Sequence, residues 1–195
     1  LDGKSTEVFL GSILDAADRG VEVRILLDGL FHNLNGHRRN TIYAFKKHPN
    51  IKLKFYEPFH LLKPWSWNNR LHDKIIMVDE QLALIGGRNI GDKYFLEESA
   101  EINLVKDRDV LIYNPIPSKD SSSVILDMSK YYDHIWNHDY SKVSPRRLTT
   151  NQEKKGERYK KDLLDKFNRF KEEKNESFSE INWIEKTILT TKIDF

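Results

Sequence analysis

The chain of 195 residues contains no cysteine. Disulfides and thiolate metal sites are therefore excluded, although this absence does not identify a cellular compartment. No apolar run approaches the roughly 20 residues that a transmembrane helix needs, and no secretory signal pattern is present. Neither sign of charge dominates, because 32 Lys and Arg residues oppose 30 Asp and Glu residues. A net charge of +2 does not indicate a nucleic-acid-binding protein.

The first half of the chain shows the periodicities of βαβ-type units. Apolar residues recur at helical spacing from Val8 to Ala17 and stop at Gly20, which is suited to a helix C-cap. Strand patterns at Val21–Leu27 and Ile51–Tyr56 flank a helical pattern at Asn40–Lys47. An α/β layered domain is the natural interpretation.

The next elements predict a mixed sheet. Two strands are joined by only a few residues at Glu80-Gln81, a link too short for a parallel crossover. Asp109–Tyr113 indicates a further strand, and Ser123–Trp136 carries apolar residues at helical intervals. The chain begins at Leu1 and enters a helical pattern almost at once, so we interpret it as a piece of a longer protein.

Composition changes after residue 143. From Gln152 to Asn175 charged residues dominate, with an apolar stripe that predicts an amphipathic helix, formed by Tyr159, Leu163, Phe167 and Phe170. This helix could dock on the domain or on an absent second half, or it could lie on a membrane surface, or the segment could be a flexible linker. Interleaved acidic residues weaken the membrane alternative. We therefore expect one domain at 1–143 and a charged helical extension or linker at 144–195.

Residues 70–89, RLHDKIIMVDEQLALIGGRN, are the most informative stretch. Side chains alternate faces along a strand, so His72 and Lys74 point the same way. An imidazole can attack phosphorus while an ammonium and an amide N–H hold the phosphate oxygens. Gly86-Gly87 would let the backbone approach an anion, and Asn89 could supply the amide. The alternative is an ordinary buried hairpin in which the histidine and lysine are incidental.

The spacing His72-x-Lys74-x4-Asp79-x6-Gly86-Gly87-x-Asn89 resembles the signature of the phospholipase D superfamily. The phrase GGRNIGDKYF resembles the first such motif of bacterial cardiolipin synthase-like members, and the resemblance extends over roughly Val8 to Tyr140. It implies a layered α-β-α phospholipase D-like domain with a mixed sheet, followed here by a C-terminal helical extension. Family members usually begin with a strand ahead of the first helix, so we expect the N-terminal edge of the sheet to be missing.

The resemblance also implies roles for individual residues. His72 would be the nucleophile that forms a phosphohistidine, and Lys74 and Asn89 would be phosphate ligands. Asp79 completes the catalytic signature, although its odd position places it off the face of His72 and Lys74, and we expect it to hold the turn at Glu80-Gln81. No metal and no other cofactor is implied.

Further site residues follow from the same resemblance. Gly86, Gly87 and Arg88 would border the substrate, and Gly87 stands where the family often has serine. Family members place an acid on a later strand to orient the nucleophilic imidazole, as in catalytic triads. Asp109 matches that place best, and Glu101 is second.

The chain carries one His-Lys-Asp set, because none of the other six histidines is followed two residues later by lysine. Phospholipase D-like catalysis uses two sets: one histidine attacks and the other protonates the leaving oxygen. The second set would come from a further half of the same full-length chain or from a homodimer about a twofold axis.

The segment PFHLLKPWSWNNR precedes the catalytic strand and is rich in apolar rings and chains: Phe59, Leu61, Leu62, Trp65 and Trp67. Aromatic residues near cations such as Lys63 and Arg70 suit the lipid headgroup boundary. This loop would be a lip that enters a bilayer, or its side chains pack over the sheet or over the missing half.

Taken together, the resemblance predicts a bacterial, membrane-associated phosphatidyltransferase or phosphodiesterase, most like cardiolipin synthase, with a phospholipid substrate. A nuclease of the same superfamily is the first alternative, although the modest charge argues against a nucleic-acid partner. The second alternative is a non-catalytic half-domain that supports a partner. A metal-dependent hydrolase is the third.

Overall fold

The computed structural model describes residues 3–59, 61–62, 64–95, 107–115, 123–144, 147–174, 182–188 and 190. Within these residues the helices are α1 (Gly3–Asp18), α2 (Arg39–Lys47), α3 (Asp92–Phe95), α4 (Val124–Asn137), α5 (Thr150–Glu173) and α6 (Trp183–Lys186). The strands are β1 (Val23–Asp28), β2 (Ile51–Tyr56), β3 (Ile75–Val78), β4 (Leu82–Gly86), β5 (Asp109–Tyr113) and β6 (Ser141–Val143). Single 3-10 turns occupy Gly36–Arg38 and Pro64–Asn68.

The first sheet has the order β1-β2-β6. Strands β1 and β2 are parallel and are joined through α2, as the predicted βαβ unit requires. Strand β6 pairs antiparallel with β2, which makes this sheet mixed. Helix α1 ends at Asp18, and Gly20 has a φ of +95°, so the predicted C-cap is also present.

The second sheet is antiparallel, with the order β3-β4-β5. The turn between β3 and β4 is closed by the N–H of Gln81, which donates to the carbonyl of Val78 over 3.0 Å. Asp79 and Glu80 adopt φ of +48° and +54° in this turn. Positive φ at both central residues is the backbone that matches the twist of a hairpin.

The predicted α/β fold with a mixed sheet and a C-terminal helix is confirmed, but its strands form two three-stranded sheets. In the part of the chain that the structure describes, β1 pairs only with β2, and β3 pairs only with β4. These two strands therefore each lie at a sheet edge. Side-chain bonds rather than strand pairing connect the two sheets at the candidate site.

Two hydrophobic cores stabilise the layers. The larger joins α1, α2 and α5 to the first sheet, with Leu14, Phe45 and Leu163 almost fully buried. The smaller lies between α4 and the second sheet, where Ile125 and Met128 are fully buried. Each fully buried side chain of this size contributes about 1.5–3 kcal/mol relative to an exposed one.

Helix α5 docks on the domain through its predicted apolar stripe. Tyr159 and Leu163 are buried against α1 and α2. Gly11 of α1 makes the closest approach, since an added Cβ would lie 2.4 Å from the carbonyl oxygen of Leu163. At the margin of the interface, Lys166 pairs with Glu7 over 2.9 Å. Tyr159 and Leu163 of this apolar stripe are thus covered by α1 and α2 of the same chain.

Candidate active site

Asp28 is the last residue of β1, and its carboxylate contacts three backbone N–H groups and one guanidinium. Its side chain is 9% exposed. One oxygen accepts hydrogen bonds from the N–H groups of Leu30 and Phe31 over 2.8 and 2.7 Å, and lies 3.3 Å from the guanidinium of Arg70. The other oxygen accepts from the N–H of Leu71 over 3.0 Å. The segment before His72 is thereby held at the carboxyl end of β1.

His72 and Lys74 lie immediately before β3. The Lys74 Nζ is 3.4 Å from Nδ1 of His72 and donates to the His72 carbonyl over 2.7 Å. The alternation expected for this stretch is present, since Ile76 and Val78 are exposed while Met77 packs on the core under α4. An imidazole and an ammonium are therefore adjacent at the end of the exposed face.

Asp73 is turned away from this pair and is bonded to α4. The hydroxyl of Tyr131 donates to the Asp73 carboxylate over 2.7 Å. This hydrogen bond, with burial second, raises the pKa of Tyr131 to about 12. The intervening residue of the His-x-Lys motif thus anchors it to a helix, a contact that periodicity could not indicate.

Asn89 approaches the site from the end of β4. Its Nδ2 donates to the hydroxyl of Tyr94 over 3.1 Å. Tyr94 belongs to α3, the one-turn helix that follows, so the phrase GGRNIGDKYF folds back on itself. Tyr94 is a site residue that sequence reasoning missed, although it lies inside the quoted motif.

Arg88 is half-buried and is held by several acceptors. Its Nε lies 2.9 Å from a carboxylate oxygen of Asp109, and its two terminal nitrogens donate to the carbonyls of Tyr94 and Asp107, each over 2.8 Å. The guanidinium also sits over the ring of Phe95 at 5.3 Å. Arg88 therefore ties α3 to β5, and its predicted contact with substrate gains no support.

Asp109 is paired with Arg88 rather than with His72. Within the described residues, no hydrogen bond joins Asp109 to His72, so the expected orienting role stays a prediction. Asp109 packs on Gly86, where an added Cβ would meet a carboxylate oxygen at only 2.0 Å. Glu101, the second candidate, lies outside the described residues.

Gly87 is covered by a second acid, Asp107. A Cβ at this position would lie 2.6 Å from a carboxylate oxygen of Asp107. The serine that the family often has here would therefore require that carboxylate to move. Asp107 was not among the candidates from the sequence.

Asp79 occupies the hairpin turn and is exposed. It lies five residues beyond Lys74, roughly 16 Å along an extended strand. The structure therefore places it in the turn that we expected it to hold, and away from His72.

Asp92 closes the site by capping α1 from a distant part of the chain. Its carboxylate accepts the N–H groups of Lys4 and Ser5 over 2.9 and 2.7 Å. Burial acts to raise the pKa of Asp92, but these backbone hydrogen bonds outweigh it and hold the pKa below its ordinary value of 3.8. Free N–H groups and the dipole of a helix N-terminus both favour a negative charge.

These elements line an open cavity of about 740 Å³. Its lining includes His72, Lys74 and Asn89, three of the predicted site residues. The other lining residues are Gly3, Asp28, Phe31, Asn33, Arg70, Leu71, Ile90, Gly91, Asp92, Lys93 and Tyr94. The predicted residues Asp79, Gly86, Gly87, Arg88 and Asp109 do not line it. The volume falls within the usual range of ligand sites and can admit a phosphodiester headgroup.

The family model described as the phospholipase D-like domain of cardiolipin synthase matches residues 5–117. That span is more than half of the chain and contains the whole motif. The chain belongs to this phospholipase D-like family. The expectation drawn from the sequence resemblance is thereby confirmed.

Curated proteins similar to this phospholipase D-like domain include cardiolipin synthases, in agreement with the family model. Cardiolipin synthase C of Escherichia coli is 36% identical over 124 residues, which cover 59% of this chain and 25% of that protein. Cardiolipin synthase of Staphylococcus aureus is 31% identical over 121 residues, which cover 61% of this chain and 24% of that protein. An uncharacterised protein of Helicobacter pylori is 34% identical over 132 residues. The chain spans about a quarter of the length of these relatives.

The described residues of the phospholipase D-like domain contain neither a membrane-spanning helix nor a cluster of metal ligands. No helix among the described residues combines the length and the apolar character needed to cross a bilayer. In the same residues, no three His, Asp or Glu side chains are grouped as ligands of a metal ion.

Proposed function

We propose that this domain supplies the nucleophilic half of a phosphatidyltransferase active site, with His72 as the nucleophile. The observation that carries the proposal is that His72, Lys74 and Asn89 line one cavity, with the Lys74 ammonium 3.4 Å from the imidazole. Membership of a cardiolipin synthase domain family supports phospholipid synthesis as the reaction class. The substrate is a phospholipid, and the acceptor is the hydroxyl of a glycerol-bearing lipid.

The reaction would take two displacements. A nitrogen of His72 attacks phosphorus, a P–N bond forms, and the ester P–O bond to the leaving alcohol breaks. The acceptor hydroxyl then attacks the phosphohistidine, which breaks the P–N bond and frees the imidazole. Each displacement needs a group that transfers a proton to or from the alcohol oxygen.

Lys74 and Asn89 would bind the non-bridging oxygens. In the free domain Lys74 Nζ rests against His72 Nδ1 and the His72 carbonyl, and Asn89 Nδ2 rests on the Tyr94 hydroxyl. A bound phosphate offers both donors a charged acceptor, which makes stronger hydrogen bonds than a neutral one. Such donors stabilise the charge that develops on phosphorus oxygens during displacement.

The proton-transfer group would come from a second His-Lys-Asp half. The cavity is lined by one histidine, His72, among the residues that the structure describes. A second half could follow in the same full-length protein or belong to a second copy. We further propose that the complete protein is bacterial and works at the membrane surface, where its lipid substrates reside.

The test is the replacement of His72 by alanine and by glutamine in the full-length protein, with cardiolipin formation from labelled phosphatidylglycerol as the assay. We expect turnover to fall by more than roughly 10³-fold, because removal of a covalent nucleophile removes the reaction path. His134→Ala is the matched control, since His134 is an exposed histidine on α4 outside the cavity.

Each alternative predicts a different result. If His72→Ala leaves turnover intact, the domain is a non-catalytic support and the proposal is wrong. If the wild-type protein cleaves a DNA oligonucleotide but transfers no phosphatidyl group, the nuclease alternative is favoured. If a chelator abolishes turnover, a metal-dependent hydrolase is favoured.

A further inference from the structure

The loop between β2 and β3 carries an exposed apolar cluster. Leu62 is 87% exposed, Leu61 is 75% exposed and Trp65 is 72% exposed. Phe59 and Trp67 are 51% and 40% exposed, and their rings stack at a centroid distance of 5.3 Å. Isolated exposed apolar side chains are common, but five of them within residues 59–67 are a concentration typical of an interaction site. We name these five side chains the apolar lip.

The base of the loop is held firmly. Arg70 donates to the carbonyl of Glu57 over 2.9 Å, which joins the two ends of the loop, and Arg70 also pairs with Asp28. Glu57 is buried, and its N–H donates to the carbonyl of Tyr140 over 2.8 Å. The apolar side chains therefore remain in water although both ends of their loop are fixed to the domain.

The base of the loop that carries the lip borders the candidate active site. Arg70, which closes the base of the loop, lines the cavity together with His72. Phe31 lines the same cavity and is 66% exposed, and its N–H is bonded to the same Asp28 carboxylate. The hydrogen bonds of Asp28 with Phe31 and Arg70 thus link the base of the lip to the cavity that contains His72.

The segment that carries the lip has no acidic residue to repel a negatively charged surface. Residues 58–70, PFHLLKPWSWNNR, include no aspartate and no glutamate, and their basic residues are Lys63 and Arg70, of which Arg70 is paired with Asp28. In the whole chain, by contrast, acidic and basic residues are nearly equal in number. Tryptophan is enriched at the headgroup level of bilayers, and basic residues are attracted to anionic lipid.

From these observations we infer that the apolar lip inserts into an anionic phospholipid bilayer and sets the cavity mouth on the membrane surface. A phospholipid headgroup could then reach His72 while its acyl chains remain in apolar surroundings at Phe31 and the lip. This inference rests on the proposed function, because it names the route by which the substrate of that site arrives.

The experiment measures binding of the full-length protein to vesicles of phosphatidylglycerol and phosphatidylcholine in equal parts, and to vesicles of phosphatidylcholine alone. Leu62→Ser and Trp65→Ser are expected to weaken binding to the mixed vesicles by roughly tenfold each, because an apolar side chain leaves the bilayer. Val21→Ser is the matched control, since Val21 is 43% exposed and precedes β1 at the end opposite Asp28. Unchanged binding of both lip variants overturns the inference.

A second measurement starts from the wild-type protein, whose result does not depend on how a variant folds, and then compares it with the conservative variant Trp65→Phe. Brominated phosphatidylcholine in the mixed vesicles is expected to quench tryptophan fluorescence, and the quenching is expected to fall in Trp65→Phe. If bromolipid leaves the fluorescence unchanged while the lip variants alter the oligomeric state, a protein partner covers the lip and the inference is wrong.

The two proposals fail separately. His72→Gln is expected to lose turnover but to bind vesicles as the wild-type protein does. The lip variants are expected to lose turnover on vesicles by about the same factor as binding, and to lose less on a short-chain phospholipid below its critical micelle concentration. Equal losses on both substrates contradict the lip, whereas full turnover of His72→Gln contradicts the proposed nucleophile.

Discussion

A carboxylate oxygen of Asp28 accepts a hydrogen bond from the backbone N–H of Leu71, 3.0 Å away. Leu71 is the residue before His72, and Asp28 is the last residue of β1. Within the described residues the two sheets share no strand pairing, and this contact and those of Arg70 hold the segment before His72 against the first sheet. The position of His72 relative to the first sheet therefore depends in part on this nearly buried carboxylate.

Asp28→Asn is expected to destabilise the domain by roughly 2 kcal/mol and to lower turnover. Both carboxylate oxygens accept hydrogen bonds, so an amide NH₂ must face an N–H donor and leaves it unsatisfied. Urea unfolding and phosphatidyl transfer would be measured together. Asp133→Asn is the control: its pair with Arg24 is exposed and should matter by at most about 1 kcal/mol. Wild-type turnover of Asp28→Asn would show that Asp28 does not position His72.

Lys74→Met is expected to lower kcat by roughly 10²–10³-fold with little change in stability, because it removes a cationic donor from the phosphate site. The methionine side chain retains similar bulk, so the loss reports charge rather than packing. Steady-state kinetics of the full-length protein would measure it. Lys130→Met is a matched control, because Lys130 pairs with Asp127 on the exposed surface of α4. A rise in KM at constant kcat would assign Lys74 to ground-state binding instead.

Asp92→Asn is expected to cost about 1 kcal/mol of stability at pH 7, the usual effect of losing a helix cap. The pKa of Asp92 is lowered in the folded state, so its charge stabilises the fold above the ordinary value of 3.8. That contribution is lost as the pH falls through the folded-state pKa. Urea unfolding from pH 7 to pH 3 should therefore show wild type and variant converging in acid. A difference that stays constant with pH would indicate that the charge is irrelevant.

Gly11→Ala is expected to destabilise the domain, although alanine favours helices by about 1 kcal/mol over glycine. Its Cβ would lie 2.4 Å from the Leu163 carbonyl oxygen and 2.7 Å from Cβ of Phe167, so α5 must move away from α1. Thermal unfolding would measure the loss. Lys155→Ala on the exposed face of α5 should be nearly neutral. An increase in stability for Gly11→Ala would mean that α5 does not pack as described.

Local pattern was sufficient for most elements. The strands Ile51–Tyr56 and Asp109–Tyr113 have the predicted bounds, and α4 and α5 differ from prediction by one or two residues at each end. These segments have regular periodicity and clear end signals, such as Ser123, whose side chain accepts from the N–H of Ile125 at the start of α4. Side-chain period and helix caps are short-range properties, so they can be read without knowing the fold.

Some residues of the candidate site could be predicted from local sequence, and others could not. His72, Lys74 and Asn89 could be predicted because they belong to one motif, and the structure brings them to one cavity. Asp28 and Tyr94 were missed as site residues, because nothing in their local sequence indicates that they line the same cavity as His72. Arg88 pairs with Asp109, and Asp107 lies over Gly87. The periodicity of the sequence does not indicate which acid contacts which of these residues.

By itself the amino-acid sequence determined the elements, the His-x-Lys motif and its family, because spacing along one chain sets which side chains share a face of a strand. The tertiary structure alone decided that the strands form two sheets, that Asp28 holds the approach to His72 and that α5 uses its apolar stripe on α1 and α2. It also decided that the side chains of the apolar lip are exposed. The reason is physical: burial and hydrogen bonding between distant segments depend on how the layers pack, and neither is encoded in any local pattern.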